Sequence, residues 1–251
     1  MRRSIHLKIV RSLIIFIVIG VVGIGVFSLL SKGKKLLTPE DIYSFQEPTR
    51  DGTGKIYLGR EIAVPIGGHE VIAWLERDSR NVEERPDILI DVLQLKETDI
   101  VADVGSGSGY MAFRIAKKVP QGKVYAVEID QSMITFMLDK IKRGNITNVR
   151  PILGTINDPQ LPKSKIDLVL MVDSYHEFSH PYEMMGAIKQ SLKPKGKVVI
   201  VEYKGEDDSV PIRALHKMSV EQVKKELQFA GLKHLQTINQ LPTQHIMIFQ
   251  K

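Results

Sequence analysis

The stretch richest in chemistry places an acid, Asp103, two residues before three alternating glycines in Gly105-Ser106-Gly107-Ser108-Gly109. Glycine allows a tight turn and leaves no Cβ between the main chain and a ligand. A second carboxylate, Glu128, closes the next apolar run, Val124–Val127, where it can accept both hydroxyls of a ribose. A third group, Asp173-Ser174-Tyr175-His176-Glu177-Phe178, follows the apolar run Ile166–Val172. His176 is the best candidate for a proton acceptor, because an unperturbed imidazole has a pKa of about 6.5. Glu177 either orients that ring or acts alone, and Asp173 either contacts a cofactor or fixes the loop. The competing reading is that His176 or Glu177 only caps the helix that follows.

These side chains need a frame. Ile100–Val104 reads as a short buried strand, and Met111, Ala112, Ile115, Ala116 and Val119 then recur at helical spacing. Strand, glycine loop and helix form the nucleotide-binding turn of an open α/β sheet, and the helix start offers free N–H groups. Strand 123–129, helix 132–142, strand 148–153, strand 166–172, helix 181–192, strand 197–203 and helix 219–230 follow. This alternation implies right-handed crossovers and a mostly parallel sheet. Pro151 suits an edge strand. The runs 233–238 and 245–250 read as an antiparallel hairpin. Residues just past Val172 fall at the switch point of the sheet, where ligands bind.

The glycine spacing decides between nucleotides. A dinucleotide site needs G-x-G-x-x-G, but the position that requires the third glycine is Tyr110. G-x-G-x-G, with Asp103 before it and Glu128 after the next strand, resembles the class I S-adenosylmethionine (SAM)-dependent methyltransferases. The Asp173–His176 stretch resembles the D-x-Y-H motif of their small-molecule branch, and Leu192-Lys193-Pro194-Lys195-Gly196 resembles a turn of the same family. The resemblance covers roughly residues 98–251. It implies a doubly wound, seven-stranded, mostly parallel α/β sheet of order 3-2-1-4-5-7-6, a Rossmann-like methyltransferase fold with SAM as cofactor. By the same resemblance Asp103 lies near the methionine amino end, Gly105, Ser106, Gly107 and Gly109 lie under the cofactor, and Glu128 lies on the ribose. Asn157 or Asp158 would meet the adenine amino group unless they only form turns; Thr155 stands where many members carry an acid. Asp173 would touch the cofactor. The other readings are an NAD(P)-dependent oxidoreductase, which Tyr110 opposes, and a SAM-binding module without catalysis.

The chain has 251 residues, enough for one good-sized domain and an appendage. It has no cysteine, which excludes disulfides, thiolate metal sites and a cysteine nucleophile. His216, His234 and His245 show no metal-ligand spacing, so no metal site is expected. Formal charge is +6, but seven Lys and Arg fall within residues 1–35, leaving 28 of the 35 basic residues against all 29 acids. The remainder lacks the basic footprint of a nucleic-acid binder, and no nucleic-acid partner is expected.

Ser12–Leu30 is a run of 19 uncharged residues, flanked on both sides by basic ones. At 1.5 Å per residue it spans about 28 Å, close to a bilayer's hydrocarbon core. Residues 1–35 are therefore expected to be a single-pass membrane anchor, a transmembrane helix, rather than a cleaved signal, whose apolar region is shorter. The alternative, cleavage near Gly23-Ile24-Gly25, would give a secreted or periplasmic protein. Four basic residues before the run and three after it leave the side of the catalytic domain open. An anchor favours a small-molecule or lipid acceptor at the membrane.

Residues 36–97 read as linker and helical lid, before the 98–251 methyltransferase domain. A helix start at Thr38–Asp41, a loop at 48–54, no clean period over 57–68, a helix over 69–77 and a helix burying Ile88, Leu89, Val92 and Leu93 are expected. Gly68–Arg77 resembles a G-H-x-x-x-x-W-L-E-R segment of one methyltransferase branch. That resemblance implies that Tyr57, Arg60 and His69 line the site; the competing reading is that His69 caps or packs a helix and Trp74 is ordinary core.

Overall fold

The structure is a computed structural model that describes residues 39–251. The expected membrane segment 12–30 lies outside the described residues. Among the described residues no helix is long and apolar enough to cross a membrane.

Ahead of the core, three short strands make an antiparallel sheet: β1 Tyr43–Phe45, β2 Gly52–Tyr57 and β3 Arg60–Ala63. Sequence reading expected no sheet here. The β2–β3 turn is Leu58-Gly59, and both residues have positive φ, 48° and 91°. Tight hairpins need this conformation and usually take it at Asn-Gly or Asp-Gly, so a leucine hides the turn. Gly52 packs under a carboxylate: a Cβ there would lie 2.1 Å from Glu61 Oε1. Next come a 3-10 turn at His69–Val71 and three helices, α1 Ile72–Leu75, α2 Arg80–Glu83 and α3 Pro86–Leu93. The expected helix over 69–77 thus shrinks to the 3-10 turn and one α turn. Trp74 is 55% exposed rather than core, and the Arg77 guanidinium stacks 3.6 Å from its ring centroid.

The main sheet contains β4 Ile100–Val104, β5 Lys123–Glu128, β6 Val149–Leu153, β7 Ile166–Val172, β8 Leu192–Tyr203, β9 Lys233–Ile238 and β10 Gln244–Gln250. Its order is β6-β5-β4-β7-β8-β10-β9. Counted from β4 this is 3-2-1-4-5-7-6, as expected. β4, β5, β6, β7 and β8 run parallel, and β10 is antiparallel to both neighbours. Pro151 sits in edge strand β6, where a missing N–H does least harm. The expected turn over 193–196 is instead an irregularity within β8. Ile166 pairs with Leu192 and Leu168 with Lys197, so the residues between are looped out of register. Lys195 takes the left-handed conformation there, with φ 63°.

Helices α4 Tyr110–Lys118 and α5 Gln131–Gly144 join α3 on one face of the sheet, while α6 Pro181–Ser191 and α7 Val220–Phe229 cover the other. Along β7, Leu168 and Leu170 enter the first core and Val169 and Met171 the second. Burial on both faces explains why β7 reads as a continuous apolar run. Each fully buried side chain such as Ile115 or Ile188 contributes roughly 1.5–3 kcal/mol. These two cores fix the carboxyl ends of β4 and β7 side by side.

Candidate active site

The loop after β4 is held by its neighbour strand. Gly105 and Ser106 both donate N–H bonds to Val127 O, at 2.9 and 3.0 Å. Gly105 has φ 75°, and a Cβ there would lie 2.5 Å from the Ser174 Cβ. Only glycine meets both demands. Gly107 N–H donates to Glu128 Oε2 at 2.9 Å, while Glu128 Oε1 accepts from Ile129 N–H at 2.7 Å. Gly109 caps α4 with φ 80°. The backbone therefore forms a bare cradle rimmed by one carboxylate.

A cavity of about 700 Å³ opens over this cradle, within the size range of small-molecule sites. Asp103, Gly105, Ser106, Gly107, Glu128, Asp173, His176 and Glu177 all line it. Gly109 does not; it starts the helix. Asp158 is exposed and outside the lining, and its Oδ1 accepts from Gln160 N–H at 2.7 Å in a turn of its own. The expected adenine contact from Asp158 gives way to turn formation, and Asn157 likewise bonds Thr155 Oγ1. Ile129, Asp130, Thr155 and Ile156 line that end instead. Tyr57 and Arg60 also fall outside the lining. Tyr57 is fully buried against Tyr43. Arg60 donates from Nε to Glu226 Oε1 at 2.8 Å and from Nη1 to His176 O at 2.9 Å. It supports the site from behind.

Two buried acids line the cavity, and each keeps one covered oxygen unpaired. Among the described residues Asp103 Oδ2 and Asp173 Oδ1 have no hydrogen-bond partner. Burial pushes the Asp103 carboxyl up to about 7, against the Ala112 N–H and Arg80, which pull it down. Burial, then the neighbouring Glu84 and Glu202, holds Asp173 well above the usual carboxylate range. Gln244 Nε2 donates to Asp173 Oδ2 at 2.7 Å. Buried acids short of partners are electrostatically matched to a cationic ligand. With the glycine cradle they fit an adenosyl sulfonium that also carries an ammonium.

His176, Glu177 and His216 line the same cavity. His176 Nδ1 lies 2.6 Å from Oε2 of Glu202, which is fully buried in β8. His176 Nε2 lies 3.1 Å from His216 Nδ1 and 3.7 Å from Glu177 Oε1. His216 Nδ1 lies 3.3 Å from the same Glu177 oxygen. Burial acts to lower the His176 pKa, but Glu202 and Glu177 outweigh it and hold the ring at about 10. The expected proton acceptor is therefore already protonated at neutral pH. Burial pushes Glu177 up, yet bonds to His176 and His216 bring it below the usual range. The expectation that His216 has no site is corrected: the 3-10 turn Ala214–His216 brings it to His176 across 40 residues of sequence. Glu202 was also missed, although a charge directly after the apolar run Val198–Val201 was its signal.

Comparison with known proteins places the chain in a family. Residues 95–246, more than half of the chain, match the family described as "Methyltransferase domain". The chain is similar to the protein-L-isoaspartate O-methyltransferase of Pyrococcus horikoshii, 32% identical over 113 residues, covering 45% of this chain and 48% of that one. It is similar to the uncharacterized methyltransferase YdaC of Bacillus subtilis, 27% identical, covering 49% of this chain and 66% of that one. The chain thus spans about half to two thirds of the length of these curated relatives. Among solved structures it is similar to a SAM-dependent methyltransferase from Aquifex aeolicus, with TM-score 0.68 and 25% identity, covering 72% of this chain and 97% of that one.

Proposed function

The chain belongs to the class I SAM-dependent methyltransferases, and from that premise we propose that it methylates an O–H or N–H group of a small molecule or lipid. The observation that carries this reading is the single cavity that joins the glycine cradle to the His176–Glu177 pair. When bound, SAM supplies the electrophilic methyl group. Asp103 would pair with its ammonium, Glu128 with its ribose hydroxyls, and the backbone of Gly105, Ser106 and Gly107 would lie against it. Asp173, held by burial in its neutral form, would offer the bound molecule a hydrogen-bonding oxygen rather than a charge. Holding two reactants in line is the larger part of catalysis for such a transfer.

At the acceptor end Glu177 is the ionised group that takes the acceptor's proton. His176, locked in orientation by Glu202, positions Glu177 and the acceptor. Pro65, Ile66, Trp74 and Ile212 among the lining residues favour an acceptor with an apolar body. Residues 1–35 would tether the enzyme through 12–30, and residues 65–84 of the 36–97 lid would wall the cavity of the 98–251 catalytic domain. The uncharged 19-residue run between basic flanks supports the tether.

The test is isotopically labelled SAM incubated with lipid and small-molecule extracts. Label transferred to an apolar acceptor by wild type is expected. Glu177→Gln should lose about 10²–10⁴-fold in turnover, and His176→Ala should also slow turnover while SAM affinity survives. SAM affinity that collapses in these variants, with turnover per bound cofactor unchanged, would refute the assignment.

A further inference from the structure

We propose that His176, Glu177 and His216 form a binding site for a divalent transition-metal ion of the zinc class. His176 Nε2, His216 Nδ1 and Glu177 Oε1 form a triangle with sides of 3.1, 3.3 and 3.7 Å. A tetrahedral ion with ligands at about 2.0–2.1 Å holds them about 3.3 Å apart. The three atoms thus already occupy one face of such a tetrahedron. Two imidazoles and one carboxylate are also the donor set that suits zinc and leaves one position open. All three residues line the cavity, so the open position faces the space that takes the acceptor.

The surroundings are built as metal sites are built. A ligating histidine usually gives its other ring nitrogen to a carboxylate, which fixes the tautomer and raises the basicity of the ligand. Glu202 does this for His176: Oε2 lies 2.6 Å from Nδ1, and Oε1 accepts the His176 backbone N–H at 3.2 Å. Ile66 N–H donates to Glu177 Oε1 at 3.0 Å and fixes that carboxylate. Binding would displace the Nε2 proton of His176; the ion with Glu177, Glu202 and two imidazoles, both then neutral, makes a locally neutral group, which a buried site tolerates.

The role of the ion rests on the transferase reading, whereas the site does not. An acceptor oxygen bound at the open position would lose its proton more readily, as metal-bound water does, and Glu177 Oε2, the oxygen not used as a ligand, would take that proton. That directs the enzyme to hydroxyl-bearing acceptors rather than amines.

The experiment uses the full, tag-free chain, stripped with a chelator and titrated with Co2+. One equivalent should give the intense visible bands of a four-coordinate ion, and Zn2+ should bleach them. His216→Ala and Glu177→Gln should abolish the bands, with melting curves checking that each variant folds. Glu202→Gln keeps all three ligands and should weaken Zn2+ binding about 10–100-fold. His216→Asn serves if the alanine variant melts early. Weak bands of a six-coordinate ion, or equal binding by wild type and the His216 variants, would overturn the proposal. SAM affinity on the same samples separates the two readings: Co2+ bands without SAM binding sink the transferase reading and leave this site standing.

Discussion

With Asp103 in the proposed role of ammonium partner, SAM affinity is expected to depend on pH. Its carboxyl is pushed up to about 7 by burial, and an ammonium partner binds the ionised form. Around it Arg80 favours ionisation and Glu128 opposes it. If only the ionised form binds, affinity falls about 11-fold at pH 6 and about 100-fold at pH 5 relative to the alkaline plateau. The ammonium stays charged over this window, so the slope belongs to the protein. Isothermal titration from pH 5 to 8 reads it, and Asp103→Asn should bind weakly with most of the slope gone. The same residue affects stability with the opposite benefit. A folded pKa raised above the unfolded value of 3.8 gives a contribution that is present below the unfolded value and lost as pH rises through about 7. The loss is at most about 4 kcal/mol. Cofactor-free Asp103→Asn should therefore melt above wild type at pH 8, and the gap should close toward pH 4. Wild-type affinity that is flat between pH 5 and 7, or a slope retained in the asparagine variant, would refute the reasoning.

Three further outcomes follow from the geometry. Glu128→Ala should weaken SAM binding by calorimetry, because its bond to Gly107 N–H also shapes the cradle; unchanged affinity would remove it from the site. Gly105→Ala should abolish SAM binding and lower the melting temperature, since φ 75° and the Ser174 Cβ at 2.5 Å both reject a methyl group. Arg60→Met should cost about 3–5 kcal/mol in urea unfolding, the usual effect of leaving one buried charge, here Glu226, without its partner; a loss under 1 kcal/mol would show that water reaches the pair.

The core was legible because its signals are local. β4, its glycine loop and α4 follow from one apolar run, three glycines and a helical period, and β7 follows from seven apolar-rich residues. That Asp103 and Glu128 line the cavity was legible for the same reason: each acid stands at or next to the carboxyl end of an apolar strand. β1 to β3 were hidden because a Leu-Gly hairpin and a glycine packed under Glu61 carry no pattern that periodicity detects. The His176 neighbourhood was half hidden. Spacing along the chain says nothing about His216 meeting His176, a contact that only the crossover after β8 creates. Nor does spacing reveal that two carboxylates keep the imidazole charged. Asp158 misled because turn-forming and ligand-binding acids look alike in sequence.

Arg60 has a consequence for traffic through the cavity. It bolts β3 at once to Glu226 of α7 and to the main chain of His176. The small sheet is thus a fixed bulkhead, and swinging it aside would strand two buried charges. The neighbouring segment 64–68 is held less firmly: Val64 and Ile66 are exposed and two glycines follow them. One bond from Ile66 N–H to Glu177 latches that segment shut. Were that segment to move, the bond would break and the Glu177 carboxylate would lose a donor that holds it in place.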